Sequence, residues 1–201
     1  SEMCIRDRTW RVGKSAFAVL LLLIGTSMLD GFYGSYYNLN QLVFDAFDAP
    51  VSIIGIFFGA SYAVNATAYI AADFFSLRFG KRNTMLGSML IEAGLFMILP
   101  WFASNPLCLF GLSMVLCFLP EVVYITSENL IQDAIADDLR ATILSVASLV
   151  RALFSAVFFS IFGHVLGLYP IQIALGIIGA IAIAITAVVS LKMVGIQVSK
   201  N

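Results

Sequence analysis

Apolar residues occur along this chain in six long runs that are separated by short polar breaks. Crossing about 30 Å of hydrocarbon requires roughly 20 apolar residues, because a helix rises about 1.5 Å per residue. Each run meets that length, so the pattern predicts six membrane-spanning helices. The predicted spans are residues 15–37, 51–74, 84–102, 106–128, 139–163 and 170–192.

The breaks carry residues that commonly end helices. The first, from Asn38 to Pro50, contains two aspartates, and the second is the basic turn RFGKRN. None is long enough to hold a soluble domain. We therefore expect an all-α, polytopic membrane protein, with a leader over residues 1–14, one six-helix bundle over 15–192 and a tail over 193–201.

Composition agrees with a chain that lipid surrounds. Apolar residues make up 61% of the sequence and charged residues 11%, and mean hydropathy is +0.98. A soluble domain of this size could not bury so much apolar surface. The net charge of −1 and the scattered basic residues exclude a nucleic-acid-binding stripe. There is no CxxC or HExxH spacing, so no metal and no cofactor is expected.

The basic residues predict an orientation. With the N-terminus in the cytoplasm, ten of the eleven lie on the cytoplasmic side and the opposite loops contain neither lysine nor arginine. This agrees with the positive-inside rule, and only Arg151 falls within a span. We expect an inner or plasma membrane location with both termini cytoplasmic. The ten are Arg6, Arg8, Arg11, Lys14, Arg78, Lys81, Arg82, Arg140, Lys192 and Lys200.

The first eight residues, SEMCIRDR, do not have the form of a signal peptide, because the apolar run begins only after Lys14. They resemble read-through of a sequencing adapter at the start of an assembled fragment. We therefore expect that a further N-terminal part of the protein belongs upstream. The alternative is a complete six-helix unit that pairs with a second copy.

Two motifs resemble those of the major facilitator superfamily of transporters. The sequence RFGKR at 78–82 resembles the family's basic loop, although Leu77 stands where an aspartate is usual and Asp73 lies one helical turn earlier. The stretch from Asp137 to Ser145, DDLRATILS, resembles the R-A-T-x-x-S motif that precedes the family's eleventh helix. The six spans are therefore similar to helices seven to twelve of a twelve-helix transporter.

This resemblance implies one bundle of 3+3 inverted repeats, which would rock against a second bundle around a central solute site. It implies a secondary transporter of a small solute that works by alternating access. It also implies a cytoplasmic gate or latch, formed by Asp73, Arg78, Lys81, Arg82, Glu128 and Arg140.

Arg151 is the most informative polar residue within a span, since an arginine at a helix centre costs about 2.5 to 3.5 kcal/mol on insertion scales. Together with Ser148 and Ser155 it forms one polar stripe on the fifth helix. One hypothesis makes Arg151 an anchor for a substrate anion or a gating charge. The other makes it a structural ion pair with Glu121 or Asp30.

Two further helices carry candidate site residues. Asp30, Tyr33 and Tyr37 repeat at helical spacing on the first helix, beside Gly31 and Gly34, which would permit a bend or close packing. Tyrosines near a helix end commonly form an interfacial belt, and Tyr36 and Tyr37 are assigned to that role by default.

On the fourth helix Glu121, Tyr124 and Glu128 share one face, and Pro120 weakens the helix there. Glu128 is expected to pair with Arg140 or the basic turn, which would be a structural role. Glu92 on the third helix has no evident partner, although Asn65 is one candidate. His164 is expected to be an exposed interfacial ring.

Three functions were compared. The preferred hypothesis is proton-coupled or facilitated movement of a small solute, with Asp30 or Glu121 carrying the proton and Arg151 setting polarity. A scaffold or receptor of the same fold, which transports nothing, is the alternative. A rhomboid-like intramembrane protease is disfavoured, because Gly59-Ala60-Ser61-Tyr62 lacks the second glycine of that motif and lies on the second helix. No enzymatic activity is expected.

Overall fold

The computed structural model describes the backbone of residues 2–102, 104–135 and 139–194, and the side chains of 19–102, 104–133, 135 and 139–191. Within these ranges the chain folds into six α-helices and contains no strand. They are α1 (Glu2–Ala46), α2 (Val51–Phe79), α3 (Lys81–Phe102), α4 (Pro106–Ala134), α5 (Arg140–Leu168) and α6 (Ile171–Val194). Asp137 and Asp138 of the DDLRATILS motif, and Lys200, lie outside the described residues.

All six helices are long and apolar enough to cross a membrane. The prediction of an all-helical polytopic membrane protein is therefore confirmed. We call the end of the bundle that carries the α1–α2, α3–α4 and α5–α6 connections the outer end, after its expected orientation, and the opposite end the inner end.

Several helices extend beyond their predicted limits. The largest difference is in α1, which was expected to end at Tyr37 and continues to Ala46. Leu39, Val43 and Phe44 are buried along that extension, and their packing outweighs the polar residues between them. The α1 helix also begins at Glu2, so residues 2–14 are continuous with it.

Short turns with defined chemistry separate the helices. Gly80 adopts φ +84° between α2 and α3, a left-handed conformation that a residue with a side chain rarely takes. Asn105 caps α4, its side chain accepting hydrogen bonds from the amides of Leu107 (3.0 Å) and Cys108 (3.3 Å). Pro106 occupies the first turn of that helix, where its missing N–H has no cost.

The principal helix pairings have an internal symmetry. α1 packs most extensively on α5 and α2 on α4, while α3 lies against both α4 and α6. α1 also contacts α4 and α6, α2 contacts α3, and α5 contacts α6. The set is unchanged when α1, α2 and α3 are exchanged with α4, α5 and α6. Because three crossings separate each helix from its equivalent, the two units run in opposite directions, as in a 3+3 inverted repeat.

Aromatic rings fill the centre of the bundle. Phe32 of α1 is fully buried, and its ring centroid lies 5.8 Å from that of Phe96 on α3 and 4.8 Å from that of Phe162 on α5. These edge-to-face contacts link three helices at one point. Most large exposed side chains on the outside are apolar, as expected of a surface that faces lipid.

Candidate functional site

Small residues bring α1 and α5 into close contact. A Cβ atom placed on Gly31 would lie 2.7 Å from Cβ of Phe154 and 2.8 Å from the amide nitrogen of Ser155. One turn away on either side, the hydroxyl of Ser35 donates to the carbonyl of Ser155 (2.9 Å), and that of Ser27 to the carbonyl of Ala147 (3.4 Å). A small residue at every fourth position lets two helices approach in this way.

This contact places Arg151 of α5 beside Asp30 of α1. The guanidinium Nε forms an ion pair with Oδ2 of Asp30. A terminal nitrogen of the same guanidinium lies 3.7 Å from Oε1 of Glu128 on α4. The guanidinium carbon also lies 4.3 Å from the ring centroid of Tyr124, in a cation–π contact. We call Asp30, Tyr124, Glu128 and Arg151 the ionic cluster.

The ionic cluster lies well inside the membrane-spanning region. Arg151 is the twelfth residue of the 29-residue α5, about 16 Å from its inner end. The side chains of Arg151 and Asp30 are 26% and 25% exposed, so the cluster lies at the edge of the bundle, partly open to one side. Desolvating these charges is costly, and their mutual pairing offsets that cost.

Glu121 adds a third carboxylate near the cluster. It lies half-buried on α4, within electrostatic range of Asp30 and Arg151. The cluster and Glu121 together carry three carboxylates against one guanidinium, so negative charge predominates when all are ionised. The structural hypothesis predicted an ion pair of Arg151 with Glu121 or Asp30, and the structure forms it with Asp30.

The other site residues that were predicted within the spans lie in different parts of the bundle. Tyr37 bonds through its hydroxyl to that of Ser61 on α2, at 3.0 Å. Ser148 is exposed on α5, away from the contact with α1. Tyr33 is buried and turns toward α3 and α6 rather than toward Arg151.

Most of the predicted gate residues lie near the inner end of the bundle. Lys81 at the start of α3 forms an ion pair with Asp133 near the end of α4, at 2.5 Å. Arg140 donates to the carbonyl of Gln132 at 3.3 Å. Arg78 lies over the ring of Phe79, 5.9 Å from its centroid. The first two contacts connect the end of α4 to the beginnings of α3 and α5.

Three gate predictions need correction or comment. Glu128 was expected beside the basic turn, and it lies beside Arg151 in the interior instead. The reason is its position on the same face of α4 as Tyr124, one turn away, which faces α5. Asp73 is exposed on α2 and forms no ion pair with another described residue. Arg82 is partly buried at the inner end of α3.

The prediction that Tyr36 belongs to an interfacial belt is wrong. Its side chain is only 2% exposed, and its ring packs edge-on against Phe96 with centroids 4.5 Å apart. Because α1 continues to Ala46, Tyr36 lies ten residues from the helix end, or about 15 Å. A tyrosine at that depth faces the bundle interior.

Sequence reasoning also left Glu92 unexplained. Its side chain is fully buried among α1, α3 and α6, facing Tyr33 and within electrostatic range of Asp30. Asn65 is not its partner, since with its amide nitrogen turned to α4 it donates to the carbonyls of Cys117 and Ser61, both at 3.2 Å. In the sequence, the polar Thr186 within the apolar run of α6 was the signal that could have indicated this region, and the structure shows that it is buried.

The structure also shows the surroundings of His164, Ser61 and two glycines of α6. His164 is exposed near the outer end of α5, as predicted. Ser61, the serine of the protease alternative, donates to the carbonyl of Phe58 at 2.8 Å and bonds to Tyr37. Gly179 supports close packing of α6 on α3, since a Cβ there would lie 3.1 Å from the carbonyl oxygen of Phe96, whereas Gly176 faces open space.

An apolar crevice of about 470 Å³ opens at the outer ends of α1, α5 and α6. Leu42, Gly163 and Ile171 are among its lining residues. It contains no charged side chain and lies apart from the ionic cluster, so we do not assign it to the site.

The fold and the ionic cluster define the class of this protein as a polytopic α-helical integral membrane protein with paired charges inside its bundle. No protein-family model, curated protein or solved structure matches the chain.

Proposed function

We propose that this chain is a six-helix bundle of a secondary transporter, which moves a small solute across a cytoplasmic membrane by alternating access. The observation that carries the proposal is the ionic cluster of Asp30, Tyr124, Glu128 and Arg151. Charged side chains at this depth are expensive, and in membrane proteins they commonly mark solute or ion pathways.

The partial exposure of the ionic cluster supports a role in binding a solute or an ion. Ionic groups that serve only to hold helices together are best shielded on all sides, yet a quarter of each side chain of the Asp30–Arg151 pair is exposed. That exposed side faces away from the bundle axis, where a second bundle would complete a cavity. A further part of the chain or a second copy would supply that bundle.

The architecture supports the same proposal. Inverted three-helix units are common in transporters, where they form a site near the membrane midplane. The exchange symmetry of the helix pairings in this bundle agrees with that design. The family proposed is the major facilitator superfamily, on the resemblance of RFGKR and DDLRATILS.

The charge balance favours a particular class of solute. Arg151 is already compensated by Asp30 and Glu128, and Glu121 adds a further negative charge nearby. A free anion would meet net negative charge, whereas a cation or a proton would be attracted. We therefore propose a cationic or proton-coupled solute, in place of the anion that an isolated arginine would suggest.

Uptake into liposomes tests the proposal. The full chain is reconstituted, and uptake of a labelled quaternary ammonium ion, a labelled monocarboxylate and a labelled neutral sugar is measured with and without a pH gradient. We expect saturable uptake of the cation, lost in Asp30→Asn and retained in Asp45→Asn, which changes an exposed aspartate of the same helix. Uptake of none of the probes above that of protein-free liposomes would count against the transporter.

The scaffold or receptor alternative makes a different prediction. A bundle that only holds partners together needs its charges paired but needs no charge that titrates or moves. In that case the double variant Asp30→Asn with Arg151→Gln would fold, and it would leave the uptake of each probe solute into liposomes unchanged. Retained folding with loss of uptake in that double variant would favour transport.

A further inference from the structure

Glu92 is a carboxylate in the interior of the bundle, and no residue that the structure describes provides it with a counter-ion. Its side chain has no exposed surface, and neither carboxyl oxygen has a hydrogen-bond partner of good geometry in this structure. None of the ion pairs among the described residues involves it. Arg151, the basic residue that falls within a predicted span, is held by Asp30 and Glu128.

The titratable groups that interact with Glu92 lie on α1 and α4. Asp30 and Tyr33 of α1 act on it electrostatically, and so does Cys117 of α4. On α6 the neutral Thr186 lies beside Tyr33. The titratable side chains of α2 that lie at similar depths, Tyr62 and Tyr69, are exposed on the outside of the bundle.

These surroundings determine the charge on Glu92. An ionised carboxylate that is fully buried, without a cation, carries a large desolvation penalty. A neutral carboxylic acid avoids most of that penalty and gains an O–H donor, from which the hydroxyl oxygen of Tyr33 can accept a hydrogen bond. This environment therefore favours the protonated form of Glu92.

Further polar side chains connect Glu92 with the outer end. The buried hydroxyls of Tyr36 on α1 and Ser113 on α4 face each other. Asn40 lies one turn beyond Tyr36 on α1, fully buried, with neither amide atom partnered. These three polar groups do not stabilise an apolar core, since each lacks the hydrogen bonds that water would give it.

We propose that Glu92 is a proton-binding site inside the bundle, formed with Tyr33, which has Thr186 beside it, and reached from the outer end past Asn40, Tyr36 and Ser113. The site is separate from the ionic cluster, which opens to the side of the bundle. Its role as the site of a coupling proton rests on the proposed transport function, whereas proton binding itself does not.

The proposed transfer step conserves charge. The O–H bond of the Glu92 carboxylic acid breaks, and the proton passes through the hydroxyl of Tyr33, or a water beside it, to the carboxylate of Asp30. Asp30 becomes neutral and releases Arg151, while Glu92 carries the negative charge. A proton entering from the outer end then neutralises Glu92 again.

Infrared spectroscopy of the full chain tests the site without any transport assay. Wild type and Glu92→Gln are reconstituted in phosphatidylethanolamine–phosphatidylglycerol liposomes, and their spectra are subtracted at neutral pH. We expect wild type to show the carbonyl stretch of a protonated carboxylic acid, shifted in D₂O and missing from Glu92→Gln. Asp45→Asn, at an exposed position, should leave that band unchanged. Carboxylate stretches in place of the band would overturn the proposal.

A second variant covers the case in which Glu92→Gln fails to fold. Tyr33→Phe removes one acceptor of the proposed hydrogen bond, so the carbonyl band should move to higher wavenumber. A band that stays in place would contradict the assignment of Tyr33 to the site. Loss of the band on adding sodium at constant pH would also overturn the proposal, since the site would then bind a metal cation.

The two proposals fail in distinguishable ways. If no probe solute is transported but the band is present and depends on Glu92, the proton site stands and the transporter does not. If uptake is proton-driven in wild type and equally so in Glu92→Gln, the transporter stands and Glu92 has no coupling role.

Discussion

Arg151 and Asp30 form an ion pair between the fifth and first helices of the bundle. Asp30 belongs to the first three-helix unit and Arg151 to the second. The pair therefore connects the two inverted units as well as two neighbouring helices. The close approach at Gly31 makes this geometry possible, because it holds α5 near α1, where the long side chain of Arg151 reaches the short side chain of Asp30.

Removing one member of this pair should destabilise the protein more than removing both. Asp30→Asn leaves the guanidinium of Arg151 with only Glu128, and we expect a loss of about 1–3 kcal/mol, since the pair is partly exposed. Asp30→Asn with Arg151→Gln should recover part of that loss. Unfolding in mixed detergent micelles measures the double-mutant cycle.

The exposed pair of Lys81 and Asp133 is the matched comparison. Its side chains are 37% and 61% exposed, so a cycle on Lys81→Met and Asp133→Asn should give a coupling below about 1 kcal/mol. Equal coupling energies for the two pairs would mean that depth in the bundle does not strengthen the Asp30–Arg151 interaction.

Gly31→Ala should weaken the contact between α1 and α5. The added methyl would meet Cβ of Phe154 and the backbone of Ser155, neither of which can move without shifting the helix. We expect a loss of about 1–3 kcal/mol, typical of overpacking. Gly34→Ala, where nothing lies within 4 Å, should change the free energy of unfolding by less than about 0.5 kcal/mol. Equal effects of the two substitutions would contradict the helix contact described above.

Tyr124 should stabilise Arg151 through its ring face. Tyr124→Phe keeps the ring and should be nearly neutral, whereas Tyr124→Leu removes the cation–π contact and should cost about 0.5–2 kcal/mol. Thermal unfolding in detergent distinguishes the two variants. If Tyr124→Phe were as damaging as Tyr124→Leu, the hydroxyl and not the ring would be the stabilising group.

The native cysteines give a test of topology and burial. Cys108 is exposed near the outer end of α4, and Cys117 is buried. In a Cys4→Ser background, a membrane-impermeant maleimide added outside intact cells should label Cys108 and leave Cys117 unreacted. Cys108→Ser should abolish the labelling. Labelling of Cys108 only after the cells are opened would reverse the proposed orientation.

Much of the fold could be predicted from hydrophobic run length alone. Six apolar runs became six helices, because a backbone in hydrocarbon must satisfy its hydrogen bonds within each segment. The exposed position of His164 also followed from its depth, and Asp30 was one of the two partners that charge suggested for Arg151. These properties depend on residue type and on distance along the chain, both of which the sequence contains.

The errors arose where packing outweighed local signals. Asn38 and Asn40 indicated a break after Tyr37, yet Leu39, Val43 and Phe44 extend the helix by burying their side chains. The same extension moved Tyr36 from an expected interface into the core. Glu92 could not be placed because its surroundings are formed by α1 and α6, helices far from it in sequence.

The exchange symmetry of the helix pairings has a mechanical consequence. The α1–α5 contact between the two units corresponds to the α4–α2 contact, which also lies between them, and the two units are upside down relative to each other. A tilt that separates α1 from α5 would open the bundle toward one surface of the membrane. Because the units are inverted, the equivalent tilt of α4 away from α2 would open it toward the opposite surface. If the proposed transport function holds, one kind of hinge, used twice, opens crevices to two compartments in turn.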